Sequence, residues 1–320
     1  MQSPPVHLFY GAPNRPQVQA TARLISKAGD RWTFSDPGLD RPRCTRICGK
    51  RDPAPGIVKS ITVFAAEDPA TPLIAIKPFA LPYTIHFTTA AELVSILGRL
   101  HEAPGRVGRM HSAFRAAEFS HDLMEEYHEQ LLALTFVAPQ AKVLELGANV
   151  GRNTCVIAAL LEDRTRLVSL ETNSSYAARA QDNLARCGLA GPRIVTAALS
   201  EVPLQQSSWR TKPMRPGQTK PDPKCFVVNT LTHQQLTQTH GSFDTLVADC
   251  EGALLPILTG APQLLDTVHT IITENDYIDI KDYQRVAAIF AARGFRRALH
   301  MPNEDIRFPT KPNFYEAWVR

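Results

Sequence analysis

Hydrophobic positions change their spacing along this chain near residue 88. Before that point, short runs in which apolar and polar residues alternate, such as GIVKSITVF and YTIHF, are separated by proline-rich turns. Alternation of this kind predicts strands. After that point, apolar residues between Leu93 and Leu100 recur every three to four positions, as in a helix. The pattern predicts a β-rich accessory module over residues 1–87 and a helical segment over residues 88–140.

The helical segment contains two predicted helices. Thr89 and Glu92 have capping-box spacing, so the first helix is expected to begin there and run to about His101. The glycine-rich sequence PGRVGR then predicts a turn. A second helix is expected to follow, with Ser120 as its cap and an apolar stripe that ends at Leu134.

Residues 141–320 alternate short apolar runs with helical stretches. The apolar runs are VLEL, RLVSL, RIVTAAL, FDTLVAD and TIITE. Alternation of strands and helices is typical of a parallel sheet with right-handed crossovers. Two last strands, Phe295–His300 and Phe314–Val319, are predicted to form an antiparallel hairpin. This part of the chain is therefore predicted to be a Rossmann-like α/β domain.

Residues 202–224 interrupt that alternation with five prolines, five basic residues and one acid. Their composition predicts a long loop. Two interpretations stay open at this point. The loop is either a lid over an anionic or sugar-like acceptor, or a solvated insertion.

The sequence KVLELGANVGRNT predicts a strand, a tight turn at Gly147 and a helix capped by Asn153 or Thr154. Ligands bind at such turns in doubly wound folds. Gly147 and Gly151 lack the G-x-G-x-x-G spacing of a dinucleotide site. Glu145 would repel a diphosphate but suits a ligand that carries an ammonium and a sulfonium. That ligand is S-adenosylmethionine.

A second acid, Glu171, ends the next apolar run, 24 residues beyond Gly147. A carboxylate there can accept hydrogen bonds from both ribose hydroxyls. Ala197 and Ala198 end the third predicted strand, Arg193–Leu199, and small residues would let an adenine ring lie close. The competing interpretation is that the acids are surface residues, the glycines serve a turn and the alanines serve packing.

Composition narrows the class of protein. The 320 residues carry a formal net charge of +4, with 15 basic and 13 acidic residues in 1–140 and 20 and 18 in 141–320. This even distribution does not favour a nucleic-acid partner. No signal peptide or stretch of ~20 apolar residues is found, so a cytoplasmic location without a membrane partner is expected. Cys44 and Cys48 have metal-ligand spacing but no second pair, so no metal is expected.

These motifs together resemble the FkbM-type methyltransferases, a branch of the class I S-adenosylmethionine-dependent enzymes. The likeness spans about residues 142–295 and rests on LELGANVGRNT, SLETN, TAALSE, LVADCEGALLPIL and TIITE. The resemblance implies a seven-stranded sheet with a reversed final strand and S-adenosylmethionine as methyl donor. It also implies O-methylation of a hydroxyl on a sugar or another small polar molecule. The β-rich module and residues 202–224 lie outside the family pattern.

Site residues follow from the motif and the resemblance together. The expected donor-binding residues are Glu145, Gly147, Ala148, Asn149, Gly151, Glu171, Ala198 and Leu199. The expected catalytic residues, which would orient or deprotonate the acceptor, are Asp249, Glu251 and Glu274.

Two other classes of function are weighed against this one. The first is a methyltransferase that acts on RNA or protein, and a basic groove with exposed aromatic residues would favour RNA. The second is a binding protein that keeps the methyltransferase fold without activity. The sequence leaves the acceptor and the oligomeric state open.

Overall fold

The computed structural model describes residues 6–11, 18–19, 25–28, 31–36, 60–65, 72–76, 83–302 and 314–320. Cys44 and Cys48 lie outside the described residues. The chain divides into two compact units, of which the first contains residues 1–104 and 297–302 and the second 105–296 and 303–320. The division falls inside a helix, between Pro104 and Gly105. The domain boundaries expected at residues 88 and 141 stay predictions.

The first unit is built from antiparallel strands. One sheet has the order β2-β1-β5-β6, and a second group of strands has the order β18-β7-β4-β3. The strands are β1 (Val6–Gly11), β2 (Val18–Gln19), β3 (Ile25–Ala28), β4 (Arg31–Asp36), β5 (Ser60–Ala65), β6 (Pro72–Ile76), β7 (Tyr83–Phe87) and β18 (Arg296–Pro302). Leu299 in β18 lies opposite Ile85 in β7. Phe34 and Ile85 are fully buried, as the alternating pattern requires.

Helix α1 (Ala90–Ala116) is continuous through the sequence PGRVGR, so the predicted turn there is wrong. Ala103 and Val107 are buried and continue the apolar face on both sides of Pro104. The free energy gained by packing that face outweighs the cost of the backbone hydrogen bond that Pro104 cannot donate. The predicted cap is present in part. The Glu92 N–H donates to Thr89 Oγ1 at 3.2 Å, whereas the Glu92 carboxylate accepts from the N–H of Thr88 at 2.9 Å.

Helix α2 (Tyr127–Phe136) begins seven residues after the predicted cap, Ser120. The N–H of Ser120 donates instead to Asn183 Oδ1 at 3.1 Å, and the N–H of Met124 donates to the Asp122 side chain at 2.9 Å. These long-range and local hydrogen bonds hold residues 120–126 as turns, which the helical spacing of the sequence does not reveal.

The second unit contains the predicted Rossmann-like sheet. Its strands run in the order β10-β9-β8-β16-β17-β19. They are β8 (Val143–Leu146), β9 (Leu167–Leu170), β10 (Arg193–Val195), β16 (Thr245–Ala248), β17 (Thr270–Asn275) and β19 (Phe314–Val319). The first five are parallel, and β19 is antiparallel to β17. The expected reversed final strand is thus present. Residues 303–313 lie outside the described residues, so the hairpin of Phe295–His300 with Phe314–Val319 stays a prediction.

Helices connect these strands. They are α3 (Arg152–Leu160), α4 (Ser174–Arg186), α5 (His233–His240), α6 (Leu254–Gly260) and α7 (Ile280–Ala292). Leu144, Leu246 and Ile271 lie at the centre of the core and are fully buried. All four residues of β8 are buried, because a parallel strand between two helical layers has no solvent side.

The third predicted strand, Arg193–Leu199, is broken after Val195. Its last residues form β11 (Ala198–Leu199), which pairs in parallel with β15 (Thr230–Leu231). Predicting one continuous strand was therefore wrong. The N–H of Ala197 donates to the carbonyl of Val195 at 2.9 Å and the N–H of Ala198 donates to the carbonyl of Asn229 at 2.8 Å, so the chain leaves the sheet after three paired positions.

The loop predicted over residues 202–224 is only partly correct, because residues 204–213 form a β-hairpin, whereas residues 214–224 have no helix or strand. β12 (Leu204–Ser207), β13 (Arg210–Pro213) and β14 (Phe226–Val228) form an antiparallel three-stranded sheet, here called the inserted sheet. Lys212 and Arg215 of this segment both form ion pairs with Asp222 at 2.8 Å, so two basic side chains share one carboxylate. Cross-strand pairing, which links distant positions, organises this segment despite its prolines.

Candidate functional site

The tight turn after β8 fits against the end of β16. Gly147 has a φ of +95°, and a Cβ atom there would lie 1.7 Å from the carbonyl oxygen of Asp249. The N–H groups of Gly147 and Ala148 donate to the carbonyl of Leu170 at 2.9 and 3.0 Å. This turn therefore connects the carboxyl ends of three adjacent strands.

Helix α3 begins without a side-chain cap, so the predicted cap at Asn153 or Thr154 is wrong. Its N-cap residue is Gly151, with a φ of +87°. The Thr154 hydroxyl donates instead to Glu145 Oε2 at 2.7 Å. Glu145 is buried under the turn, and burial raises its pKa to about 7.

Glu171 holds the turn from the neighbouring strand. Its Oε2 accepts from the N–H of Asn149 at 2.9 Å, and its Oε1 accepts from the N–H of Asn173 at 2.8 Å. Asn149 has a φ of +48°, a conformation that asparagine tolerates better than most residues. The carboxylate keeps further lone pairs with which it can accept hydrogen bonds from a ligand.

A pocket of about 660 Å³ opens beside this turn. Seven of the predicted site residues line it: Gly147, Asn149, Glu171, Ala198, Leu199, Asp249 and Glu251. The other four, Glu145, Ala148, Gly151 and Glu274, do not line it. Three acids and no lysine, arginine or histidine occur among the described residues of its wall, so the wall offers no basic partner to an anion.

Three lining residues come from the inserted sheet, and sequence reasoning missed all of them. They are Gln206, Trp209 and Thr211. Trp209 is 47% exposed and stacks on Tyr176, with ring centroids 5.3 Å apart and planes at 6°. A tryptophan inside a polar, proline-rich segment was the available signal, since large aromatic residues outside a core often mark binding surfaces.

Acidic side chains gather where β16 and β17 end. Carboxylate oxygens of Glu129, Asp249 and Glu274 all lie within 4.8 Å of one another, close enough to share protons or a hard cation. Burial raises the pKa of Glu274 to about 7 and also raises the pKa values of Glu129 and Asp249. Tyr315 donates its hydroxyl to Glu274 at 3.2 Å. Glu129, buried on α2, was missed by the sequence analysis.

Glu251 lines the pocket, as Asp249 does, but it is not one of the three carboxylates of that cluster. Its φ of +53° is unusual for a residue with a side chain, and such strain is often found at functional sites. Burial, followed by the neighbouring Asp276 carboxyl, raises the pKa of Glu251 to about 8. A carboxylate with this pKa is suited to accept a proton near neutral pH.

Arg152, at the start of α3, forms hydrogen bonds with residues 122–126, which precede α2. Its guanidinium donates to Glu126 at 3.0 Å, to the carbonyl of Asp122 at 2.7 Å and to the carboxylate of Glu125. Glu126 also accepts from the N–H of Asn153 at 3.0 Å. Arg152 and Glu126 are both buried, so this pair fixes where the glycine-rich turn becomes a helix.

The strand order, the reversed last strand and a pocket beside the first turn define the class of fold. It is the Rossmann-like α/β fold of methyltransferases. Residues 110–202 match the family described as Protein-L-isoaspartate(D-aspartate) O-methyltransferase (PCMT). A comparison with curated proteins gives no match.

Solved structures similar to the chain include three methyltransferases. An O-methyltransferase from Bacillus cereus, in complex with SAH, is 18% identical over 67% of this chain and 90% of its own, with a TM-score of 0.41. TomG, an O-methyltransferase from Streptomyces achromogenes, is 16% identical over 65% and 89%, with a TM-score of 0.41. The ribosomal protein L11 methylase from Lactobacillus delbrueckii subsp. bulgaricus is 16% identical over 61% and 79%, with a TM-score of 0.39.

Likenesses of this size leave the acceptor open. Among the described residues, no helix is both long and apolar enough to cross a membrane.

Proposed function

We propose that this chain is an S-adenosylmethionine-dependent methyltransferase that methylates a hydroxyl on a sugar or another small polar molecule. The observation that supports this most directly is the pocket between the Gly147 turn and Glu251. Glu171, Asp249 and Glu251 line it, and no basic side chain does among the described residues. Such a wall favours a ligand with a sulfonium and an ammonium and disfavours a diphosphate.

Donor binding is assigned to the side of the pocket that contains Glu171. Its carboxylate, held by the N–H groups of Asn149 and Asn173, would accept hydrogen bonds from the ribose hydroxyls. Ala198 and Leu199 would pack against the adenine, and the turn at Gly147 would lie along the methionine part. Ala148 and Gly151 shape that turn, while Glu145 supports it from below through Thr154.

Acceptor activation is assigned to Glu251. Methyl transfer from a sulfonium is an in-line displacement, so most of the catalysis is the positioning of acceptor and methyl group. A hydroxyl also needs a base. Glu251 lines the pocket and has a pKa of about 8, so it is assigned the role of base. Asp249 also lines the pocket and is assigned to orienting the acceptor, with Glu274 supporting Asp249 from within their shared cluster.

The side chains of the pocket wall also restrict the class of acceptor. No lysine, arginine or histidine lines the described pocket wall to pair with an anion, and the carboxyl groups of Asp249 and Glu251 can form hydrogen bonds with hydroxyls, so a neutral, hydroxyl-rich acceptor is favoured over an anionic one. The FkbM resemblance points to the same class of acceptor. The match to the PCMT family covers residues 110–202, which end before Asp249 and Glu251, and so does not bear on the acceptor.

Two measurements test the proposal. Calorimetry should show binding of S-adenosylhomocysteine and none of NAD, and equal binding of both would refute the assignment of the donor. Incubation with methyl-labelled S-adenosylmethionine and fractionated cell extract should place label in small polar molecules. Label in RNA or protein would instead support the macromolecular alternative, and donor binding without any labelling would support an inactive binding protein.

A further inference from the structure

Strand β12 contains two neighbouring glutamines with different environments. Gln205 is 1% exposed, and both polar atoms of its side-chain amide form hydrogen bonds. Its Oε1 accepts from the N–H of Asp222 at 2.6 Å, and its Nε2 donates to Asp222 Oδ2 at 3.2 Å. Gln205 therefore holds the inserted sheet together, and its burial is explained by the fold.

Gln206 is 4% exposed, but only one of the two polar atoms of its side-chain amide forms a hydrogen bond with a described residue. Its Nε2 donates to the carbonyl of Ser208 at 2.8 Å, which fixes the orientation of the amide. Its Oε1 is buried and accepts no hydrogen bond from any described residue. Gln206 also lines the pocket. A buried acceptor without a donor is unfavourable, so a ligand that brings an N–H or O–H would be bound there.

The position of the β12–β13 turn indicates which part of a ligand Gln206 would contact. Trp209 in the turn stacks on Tyr176, which lies on α4 only five residues after Glu171. The turn is thus on the Glu171 side of the pocket. Gln206 pairs across the strands with Thr211, and both line the pocket, so the inserted sheet forms a wall on that side.

We propose that Gln206 Oε1 accepts a hydrogen bond from the exocyclic amino group of the donor's adenine. The inference rests on the proposed function and adds a residue that determines specificity. Leu170, Ala198 and Leu199 offer apolar surface to a flat ring, while Gln206 offers an acceptor to its edge. The ribose hydroxyls are assigned to Glu171 and the methionine ammonium to the Gly147 turn, which leaves the adenine amino group as the matching hydrogen-bond donor.

The test compares two ligands that differ at this group. S-inosyl-L-homocysteine has a carbonyl oxygen where S-adenosylhomocysteine has the amino group, so it would face Gln206 acceptor to acceptor. We expect calorimetry on the full chain to show at least about tenfold weaker binding of the inosine compound, as for a lost hydrogen bond that leaves a buried group unpaired.

Variants then assign the preference to Gln206. Gln206→Met keeps the side-chain length without the acceptor, and it should lose about tenfold in affinity for S-adenosylhomocysteine while its affinity for the inosine compound is unchanged. Gln206→Glu keeps an acceptor and should still prefer the adenine compound. Gln234→Met, on the exposed surface of α5, is the control and should behave as the wild type.

The outcomes separate this inference from the proposed function. Equal binding of both compounds by the wild type, or an intact preference in folded Gln206→Met, would refute the role of Gln206 but leave donor binding in place. Binding of neither compound would refute both. Thermal melting checks that each variant is folded, and Gln206→Asn, which withdraws the acceptor by one methylene, replaces Gln206→Met if that variant does not fold.

Discussion

The backbone around Gly147 is packed too closely to admit a side chain. The φ of +95° is costly for any residue with a Cβ, and the added atom would lie 1.7 Å from the carbonyl oxygen of Asp249. Asp249 also lines the pocket, so a shift of its backbone would change the shape of the site. The close contact between Gly147 and the Asp249 carbonyl therefore affects both stability and ligand binding.

Gly147→Ala is expected to lower the free energy of unfolding by about 2–4 kcal/mol, through left-handed strain and overpacking. It should also abolish binding of S-adenosylhomocysteine. Chemical denaturation and calorimetry measure the two effects.

Gly108→Ala is the matched control. Gly108 lies inside α1, and no atom is within 4 Å of an added Cβ. This variant should be more stable by about 0.5–1 kcal/mol, because alanine is the better helix former. Equal stability of the two variants would show that the turn tolerates a side chain.

Glu251 gives the site its expected pH dependence. A general base acts in its ionised form, and the raised pKa of about 8 means that Glu251 is mostly protonated at pH 7. The ionised fraction increases as the pH rises through 8. Activity of the wild type should therefore rise about tenfold per pH unit below 8 and level off above it.

Glu251→Gln is expected to lower kcat by about 10²–10⁴-fold and to remove this rise, while the affinity for the donor changes little. Steady-state kinetics across pH 6–9 and calorimetry check both statements. Glu102→Gln, at an exposed position of α1, should retain the wild-type profile. A pH profile that persists in Glu251→Gln would transfer the role of base to another group, with Asp249 as the next to test.

Helix α3 depends on an ion pair that lies outside the glycine-rich motif. Arg152 reaches back to Glu126, which in turn accepts from the N–H of Asn153 in the first turn of the helix. The pair replaces the missing side-chain cap, because Gly151 has no side chain that could accept these N–H groups. It also connects α3 to the segment that leads into α2.

Arg152→Met should destabilise the protein by about 3–5 kcal/mol, because it leaves the Glu126 carboxylate buried and unpaired. The double variant Arg152→Met/Glu126→Gln removes that charge and should be more stable than the single variant. Thermal or chemical unfolding measures the difference. A double variant no more stable than the single one would show that the ion pair acts through geometry and not through charge.

The pocket lies wholly within the second unit, since its lining residues fall between Leu146 and Ile257. The first unit includes β7 and β18, which pair with each other although more than 200 residues separate them. Removing the β-rich module therefore removes a pairing partner of β18 but no residue of the pocket wall.

A fragment that begins at Thr88 is expected to fold and to bind S-adenosylhomocysteine with the affinity of the full chain. It should melt at a lower temperature, because β18 has lost β7. Calorimetry and thermal melting of fragment and full chain, side by side, provide the test. A folded fragment that does not bind would show that the module contributes to donor binding.

The sequence by itself determined the features that depend on local chemistry. Apolar runs such as VLEL and LVSL are buried strands, as expected of parallel strands covered on both faces. Gly147 and Glu171 were predicted at the strand ends where the structure has them, since a turn and an acid at fixed spacing leave a clear pattern.

Tertiary structure decided what depends on contacts between distant residues. Helix α1 continues through Pro104 because the packing of its buried face outweighs the effect of one proline. Residues 204–213 form a hairpin because cross-strand pairing outweighs their polar composition. Gln206 and Trp209 became part of the pocket wall in the same way. No spacing along the chain relates them to Glu171, because the fold brings them together only when the inserted sheet packs beside α4.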